Sequence, residues 1–282
     1  MPAALMIDLK KSRAIDQQRR QEIQYFLIQV SETLNQMFRP SILKELRFTN
    51  GDEVQGLFKR KSDAYNCLRL FRRVVFPLEI HAGIGIGDWT TVVPEYDTSY
   101  QDGSAYHNAR KAIETAKREK DYIALLCSKS DNDLLWNTMM NAGFSLMEEN
   151  TGFQNDLAVY FECIYPVYTR GSDIPSNPIM LHELVTAKNE IPKFSKGKSI
   201  KGNTINLNTI LDGKANTGAK KSSSIPYQMI YEYAHPYRSA SILAEAVGAK
   251  RQAIDRSLKA SNVYAERAIA LALIELANRY AE

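Results

Sequence analysis

Apolar residues along this chain follow two rhythms, and the switches between them outline the elements. Residues 3–8 form a short apolar run that ends on an acid, Asp8, and reads as a strand. Ile23, Phe26, Leu27, Val30, Leu34 and Met37 then recur at helical spacing, which predicts a helix over 14–39 stopped by Pro40. Two β-prone runs, 43–49 and 54–58, flank Asn50-Gly51, a strong hairpin signal. A second helix over 63–75 carries Cys67, Leu68, Leu70 and Phe71 and is closed by Pro77. Ile80, Ala82, Ile84 and Ile86 alternate in a strand over 78–86. A loop over 89–103, a helix over 104–120, a strand over 122–127 and a helix over 131–141 follow. The apolar run 155–168 fits a buried helix or a strand, and we read it as a helix.

The order β-α-β-β-α-β predicts an α+β fold with a ferredoxin-like core. In that topology the first and third strands are neighbours, so the end of one lies beside the start of the other. Asp8 then falls next to Asp52 of the stretch Thr49-Asn50-Gly51-Asp52-Glu53. Paired acids at strand ends suit a divalent metal, Mg²⁺ or Mn²⁺, that in turn holds a polyphosphate.

Composition bounds the picture without deciding it. At 282 residues, with 44% apolar and 24% charged positions, the chain has material for a sizeable core and a second, smaller unit. The formal charge of +4 is too mild to argue for nucleic acid, so only local charge can. Three widely spaced cysteines, Cys67, Cys127 and Cys163, suggest a reducing compartment rather than a disulfide framework. The charges among the first thirty residues leave no signal-peptide core, and no apolar run reaches spanning length, so a cytoplasmic protein without membrane contact is expected.

Four regions are expected: 1–145 as the palm-like unit, 146–190 as a connecting helical segment, 191–225 as a basic flexible linker and 226–282 as a helical unit. Residues 188–221 hold eight lysines against Glu190 and Asp212, which reads either as a solvated loop or as a phosphate-backbone contact. In the last unit, 239–259 resembles the helix-turn-helix of bacterial regulators, with Ala244 at the helix crossing, Gly248 at the turn, and Val247 and Ile254 in the small core. Its second helix would present Lys250, Arg251, Gln252, Asp255, Arg256 and Lys259 to double-stranded DNA; arginine and glutamine suit base edges, lysine suits phosphates. The bland alternative is a plain helical hairpin or a protein-interaction module. Ile269, Leu271, Leu273, Ile274 and Leu276 make the final helix too apolar to stand free; it packs on the motif or forms the seam of a homodimer.

Asp8, Gly51-Asp52-Glu53, the strand His81-Ala82-Gly83-Ile84-Gly85-Ile86-Gly87 and the helix from Asp102-Gly103 to Arg110 occur in an order that resembles class III nucleotide cyclases and, more distantly, diguanylate cyclases. With the helix-turn-helix added, the chain as a whole resembles the SatD family. The cyclase resemblance implies Asp8 and Asp52 as metal ligands, Glu53 as a further acid, Arg110 as a catalytic residue at the transition state and Lys117 as a phosphate ligand. Lys11 and Arg13 are further candidates for phosphate. Where a cyclase carries Asn four residues before the arginine, this chain has Tyr106. That departure separates metal and nucleotide binding, which need only the acids and bases, from cyclisation, which needs the Asn.

Each candidate also has a structural role open to it. Asp8 or Ser12 could cap the following helix, and Asp52 could satisfy turn backbone. Glycines 83, 85 and 87 could admit a closely packed helix. The four histidines show no metal spacing, and no Ser-His-Asp set can be nominated. The expected function is a nucleotide-responsive DNA-binding regulator. An active nucleotidyl cyclase or phosphotransferase, and an interaction scaffold with a degenerate palm, are the alternatives.

Overall fold

The computed structural model describes residues 1–11, 16–49, 53–119, 121–167, 178–191, 194, 196–201, 204–216, 234–236 and 238–279. Its centre is strand β1 (Ala3–Leu9), flanked on one side by β3 (Val54–Phe58) and on the other by β4 (Ile80–Ile86), both antiparallel to it. β2 (Ile42–Phe48) pairs antiparallel with β3, and β5 (Ala124–Cys127) pairs parallel with β4. The result is a five-stranded mixed sheet in the order β2-β3-β1-β4-β5, within an α+β molecule.

Alternation along β1 divides the molecule into two sides. Ala3, Leu5, Ile7 and Leu9 enter the large core, against α1 (Gln17–Met37) and α2 (Lys61–Val75). Ala4 and Met6 face the other way, into a smaller cluster with α3 (Ser104–Arg118). The Asp16 side chain caps α1 by accepting the Arg19 N–H at 3.0 Å, the role the sequence offered to Asp8; Ser12, the other candidate, lies outside the described residues. Where β2 bulges out of register with β3, the Asn35 amide stands in for a strand. It accepts the Leu46 N–H at 2.7 Å and donates to the Leu46 carbonyl at 3.0 Å.

The run left ambiguous between helix and strand is α5 (Gly152–Ile164), opened by a Thr151/Gln154 capping box. It follows α4 (Asp133–Ser145), and its residues 155–164 are all buried. Because it is enclosed on every side, its apolar pattern has no polar face to reveal a helical period. α6 (Pro178–Glu190) and α7 (Leu207–Asn216) come next. The lysine-rich stretch read as a flexible linker thus contains a helix, anchored by the fully buried Ile210.

The chain ends with α8 (Ser239–Ala246), α9 (Arg251–Ala260) and α10 (Val263–Arg279). α10 buries Ala270, Leu271, Leu273, Ile274 and Ala277 in the same core that the sheet shares. It also brings Glu266 and Arg267 into a cluster of wholly buried charges. Arg69 of α2 bonds Glu162 of α5 at 2.7 Å and Glu266 at 2.5 and 2.8 Å; Arg73 also bonds Glu266; Arg267 reaches Glu162 at 2.5 Å. Burial alone would push both carboxyls up. The Arg267 and Arg69 guanidiniums beside Glu162, and those of Arg69 and Arg73 beside Glu266, hold them below the ordinary range. The cluster ties the last helix to the layer behind the sheet. No helix among the described residues is long and apolar enough to cross a membrane.

Candidate functional site

Asp8 lies near the carboxyl end of β1, on the α3 side of the sheet. Its neighbour across β4 is His81, and Ile7 pairs with Val54, which sets Glu53 alongside Asp8 at the head of β3. α3 reaches these groups because β4 has no side chains in the way. A Cβ on Gly83 would stand 2.4 Å from the Ala109 carbonyl oxygen, and one on Gly85 would stand 2.0 Å from the Ala109 nitrogen. The helix therefore lies directly on the strand's backbone, which is the packing role open to these glycines from the sequence.

Arg110 and Lys117 are two helical turns apart on α3 and share the face that overlooks the acids. Arg110 clasps Glu53 with both terminal nitrogens, Nη1 to Oε2 at 2.5 Å and Nη2 to Oε1 at 2.7 Å. Such a fork fixes orientation as well as charge. Thr49 Oγ1 donates to the same carboxylate at 3.3 Å. The hydrogen bonds to Glu53 hold the Arg110 guanidinium even more firmly protonated than usual, helped by Glu114 and Asp8. Lys117 Nζ lies 2.9 Å from Asp8 Oδ2. His81 is held below its usual range by partial burial and by nearby Lys10, against the pull of Asp8, so it is neutral at neutral pH.

Four of the candidates, Asp8, Glu53, Arg110 and Lys117, thus converge as two adjacent acid–base pairs. Lys11, exposed and at φ 57°, follows the end of β1. Arg13 and Asp52 lie outside the described residues. Tyr106 is buried, its hydroxyl 3.3 Å from Thr98 Oγ1, and burial pushes that hydroxyl up to about 12. Asn108 donates to the Ile86 carbonyl at 2.8 Å and so completes the end of β4. Among the described residues no cluster of three or more His, Cys, Asp or Glu is gathered for a metal. Asp8 and Glu53 are hard oxygen donors of the type a divalent cation takes, and each is paired here with a cation of α3.

At the other end of the chain, α8 and α9 are joined by residues 247–250, where Gly248 takes φ 65° and Ala249 N–H bonds the Ala244 carbonyl at 2.8 Å. α9 buries Ile254 and Leu258 and leaves Arg251, Gln252, Arg256 and Lys259 exposed, as is Lys250 at its N-cap. Asp255 is half-buried and pairs with Lys259 at 2.8 Å. Ala244 is buried against this turn and Val247 is half-buried.

The buried charges Arg69, Arg73, Glu162, Glu266 and Arg267 were not singled out from the sequence. Their one signal is the presence of charge inside otherwise apolar helical runs, such as Glu162 between Phe161 and Cys163. Lys44 and Gln101, which organise the loop before α3, carry no signal at all. No curated protein and no solved structure matches the chain. A family model, the SatD family, matches residues 3–161, more than half of the chain. The chain belongs to the SatD family.

Proposed function

We propose that this protein is a nucleotide-responsive, DNA-binding regulator. The observation that carries the nucleotide half is the pairing of Asp8 with Lys117 beside Glu53 with Arg110 on one rim of the sheet. Each pair can exchange partners without leaving a bare charge: the carboxylates turn to Mg²⁺ or Mn²⁺, the cations to phosphate oxygens. The strand order β2-β3-β1-β4, with α1 and α2 behind it, supports a ferredoxin-like, palm-type core. The exposed basic face of α9 after a glycine turn supports a helix-turn-helix reading DNA, with a homodimer presenting two such helices to paired half-sites. α10 and its buried charges would connect the two ends. Regulation then requires that nucleotide bind the two states of that connection with different affinity.

The test is a thermal-shift screen of nucleoside triphosphates with and without Mn²⁺, beside the Asp8→Ala/Asp52→Ala protein. A metal-dependent rise that the variant loses supports the nucleotide site; a flat screen with the fold intact removes it. Polarisation with duplex DNA tests the other half, and binding insensitive to salt and to Arg251→Ala would refute it. An active cyclase or phosphotransferase is favoured only by Arg110 lying beside the acids. Against it, Asn108 is engaged by Ile86 and Tyr106 by Thr98. Pyrophosphate released from a triphosphate by the wild type and not by Asp52→Ala would reverse that preference.

A further inference from the structure

We propose that Tyr96 and Tyr100 form an aromatic platform that stacks the nucleobase of the nucleotide whose phosphates meet Arg110 and Lys117. This rests on the nucleotide reading above and extends it to a part of the molecule that the sequence did not mark. The two rings have centroids 4.8 Å apart at 51°, and the residues are 53% and 61% exposed. Two large aromatic residues left side by side in water, on a loop too long for a simple connection, ask for an occupant.

The loop is held firmly for so exposed a segment. Lys44 Nζ donates to three of its carbonyls, Val93 at 3.0 Å, Pro94 at 2.9 Å and Tyr96 at 2.9 Å. Gln101 Nε2 donates to the carbonyls of Val93, Tyr96 and Asp97, while its Oε1 accepts from Val93 N–H and from the Trp89 indole. The Asp97 side chain caps the 3-10 turn Thr98–Tyr100 through the Ser99 N–H. A platform fixed in this way loses little freedom when a flat ring settles on it.

Two independent rulers put that turn next to the acid–base pairs. On the strand side, Gln55 Nε2 donates to the Thr98 carbonyl at 2.9 Å and to its hydroxyl at 3.2 Å. Gln55 is two residues from Glu53 on the same face of the sheet, about 7 Å away. On the helix side, Thr98 bonds the Tyr106 hydroxyl, and Tyr106 is one turn, about 6 Å, from Arg110. The turn that carries Tyr100 and closely follows Tyr96 therefore lies on the same face of the sheet as the groups proposed for phosphate. Because every base has a π-face, stacking gives affinity with modest selectivity, greater for purines than for pyrimidines.

The experiment is titration calorimetry of the full chain with Mg-ATP, Mg-GTP, Mg-CTP and Mg-tripolyphosphate. It compares the wild type, Tyr96→Ala/Tyr100→Ala and the ring-preserving Tyr96→Phe/Tyr100→Phe. The wild type should bind the purine nucleotides about tenfold or more tighter than tripolyphosphate. The alanine variant should lose that difference and keep its tripolyphosphate affinity, and the phenylalanine variant should restore it. Nucleotide affinity unchanged by the alanine pair would overturn the platform while leaving the phosphate site standing. Parallel loss of nucleotide and tripolyphosphate would also overturn it, since the rings would then act on the fold rather than on the base. If the wild type binds neither probe, the nucleotide reading falls and the platform falls with it.

Discussion

Lys117 Nζ lies 2.9 Å from Asp8 Oδ2, joining the last turn of α3 to the end of the central strand. Both side chains are partly exposed, 38% and 21%, so the ion pair adds little to stability, about 0–1 kcal/mol. Lys117→Met should therefore leave the unfolding free energy nearly unchanged. The same change should weaken a metal-bound triphosphate by about tenfold or more, since a charge-assisted contact to phosphate is lost. Paired urea unfolding and calorimetry would separate the two, and a large stability loss with intact binding would reverse the assignment.

The glycines of β4 make a separate prediction about the scaffold. Gly85→Ala places a methyl 2.1 Å from the Ala105 carbonyl oxygen, and no flexible side chain can yield there. α3 must lift, at a cost of about 1–3 kcal/mol or more, and Arg110 and Lys117 move with it. Thermal unfolding should show the loss. Nucleotide binding should fall as well, although no ligand contact has been removed.

The buried charges should be intolerant of partial removal. Glu266→Gln takes from Arg73 the carboxylate it bonds and leaves Arg69 with Glu162 alone, and it should cost about 3–5 kcal/mol in urea unfolding. The same cluster predicts a pH dependence. Glu162 and Glu266 are held below the ordinary carboxylate range when folded, so their contribution is present above that range and lost as pH falls through it toward the depressed values. A melting temperature that stayed level on acidification from about pH 7 to about pH 3 would contradict it.

The exposed face of α9 should behave in the opposite way. Arg251→Ala removes no described contact of the fold, so stability should hold, while the slope of DNA affinity against salt should fall by about 1 if Arg251 meets a phosphate. Gly248 makes the control. At φ 65° with open space around it, Gly248→Ala suffers only backbone strain, about 1 kcal/mol, and Gly248→Asn should suffer less.

Periodicity marked most elements of the sheet and its helices, because a two-residue or a 3.6-residue repeat is a local property. It left α5 open between helix and strand, because burial on all sides erases the repeat, and the helix reading is the one the structure bears out. It missed α7, whose single deep anchor, Ile210, is too little to stand out among lysines. Asp8, Glu53, Arg110 and Lys117 were legible as candidates through their order along the chain.

By itself, the sequence determined the strands, most of the helices, the glycine stripe and the identity of those four charged residues. Which of them touch was decided only by the tertiary structure. The partnership of Glu53 with Arg110, and of Asp8 with Lys117, depends on strand order and on α3 lying flat on β4. Both are set by packing between segments far apart in the chain. The burial of Arg69, Arg73, Glu162, Glu266 and Arg267 is likewise a property of three helices meeting. A single segment shows at most a charge inside an apolar run, because each charge becomes tolerable in the core only when the other helices supply its counter-charge.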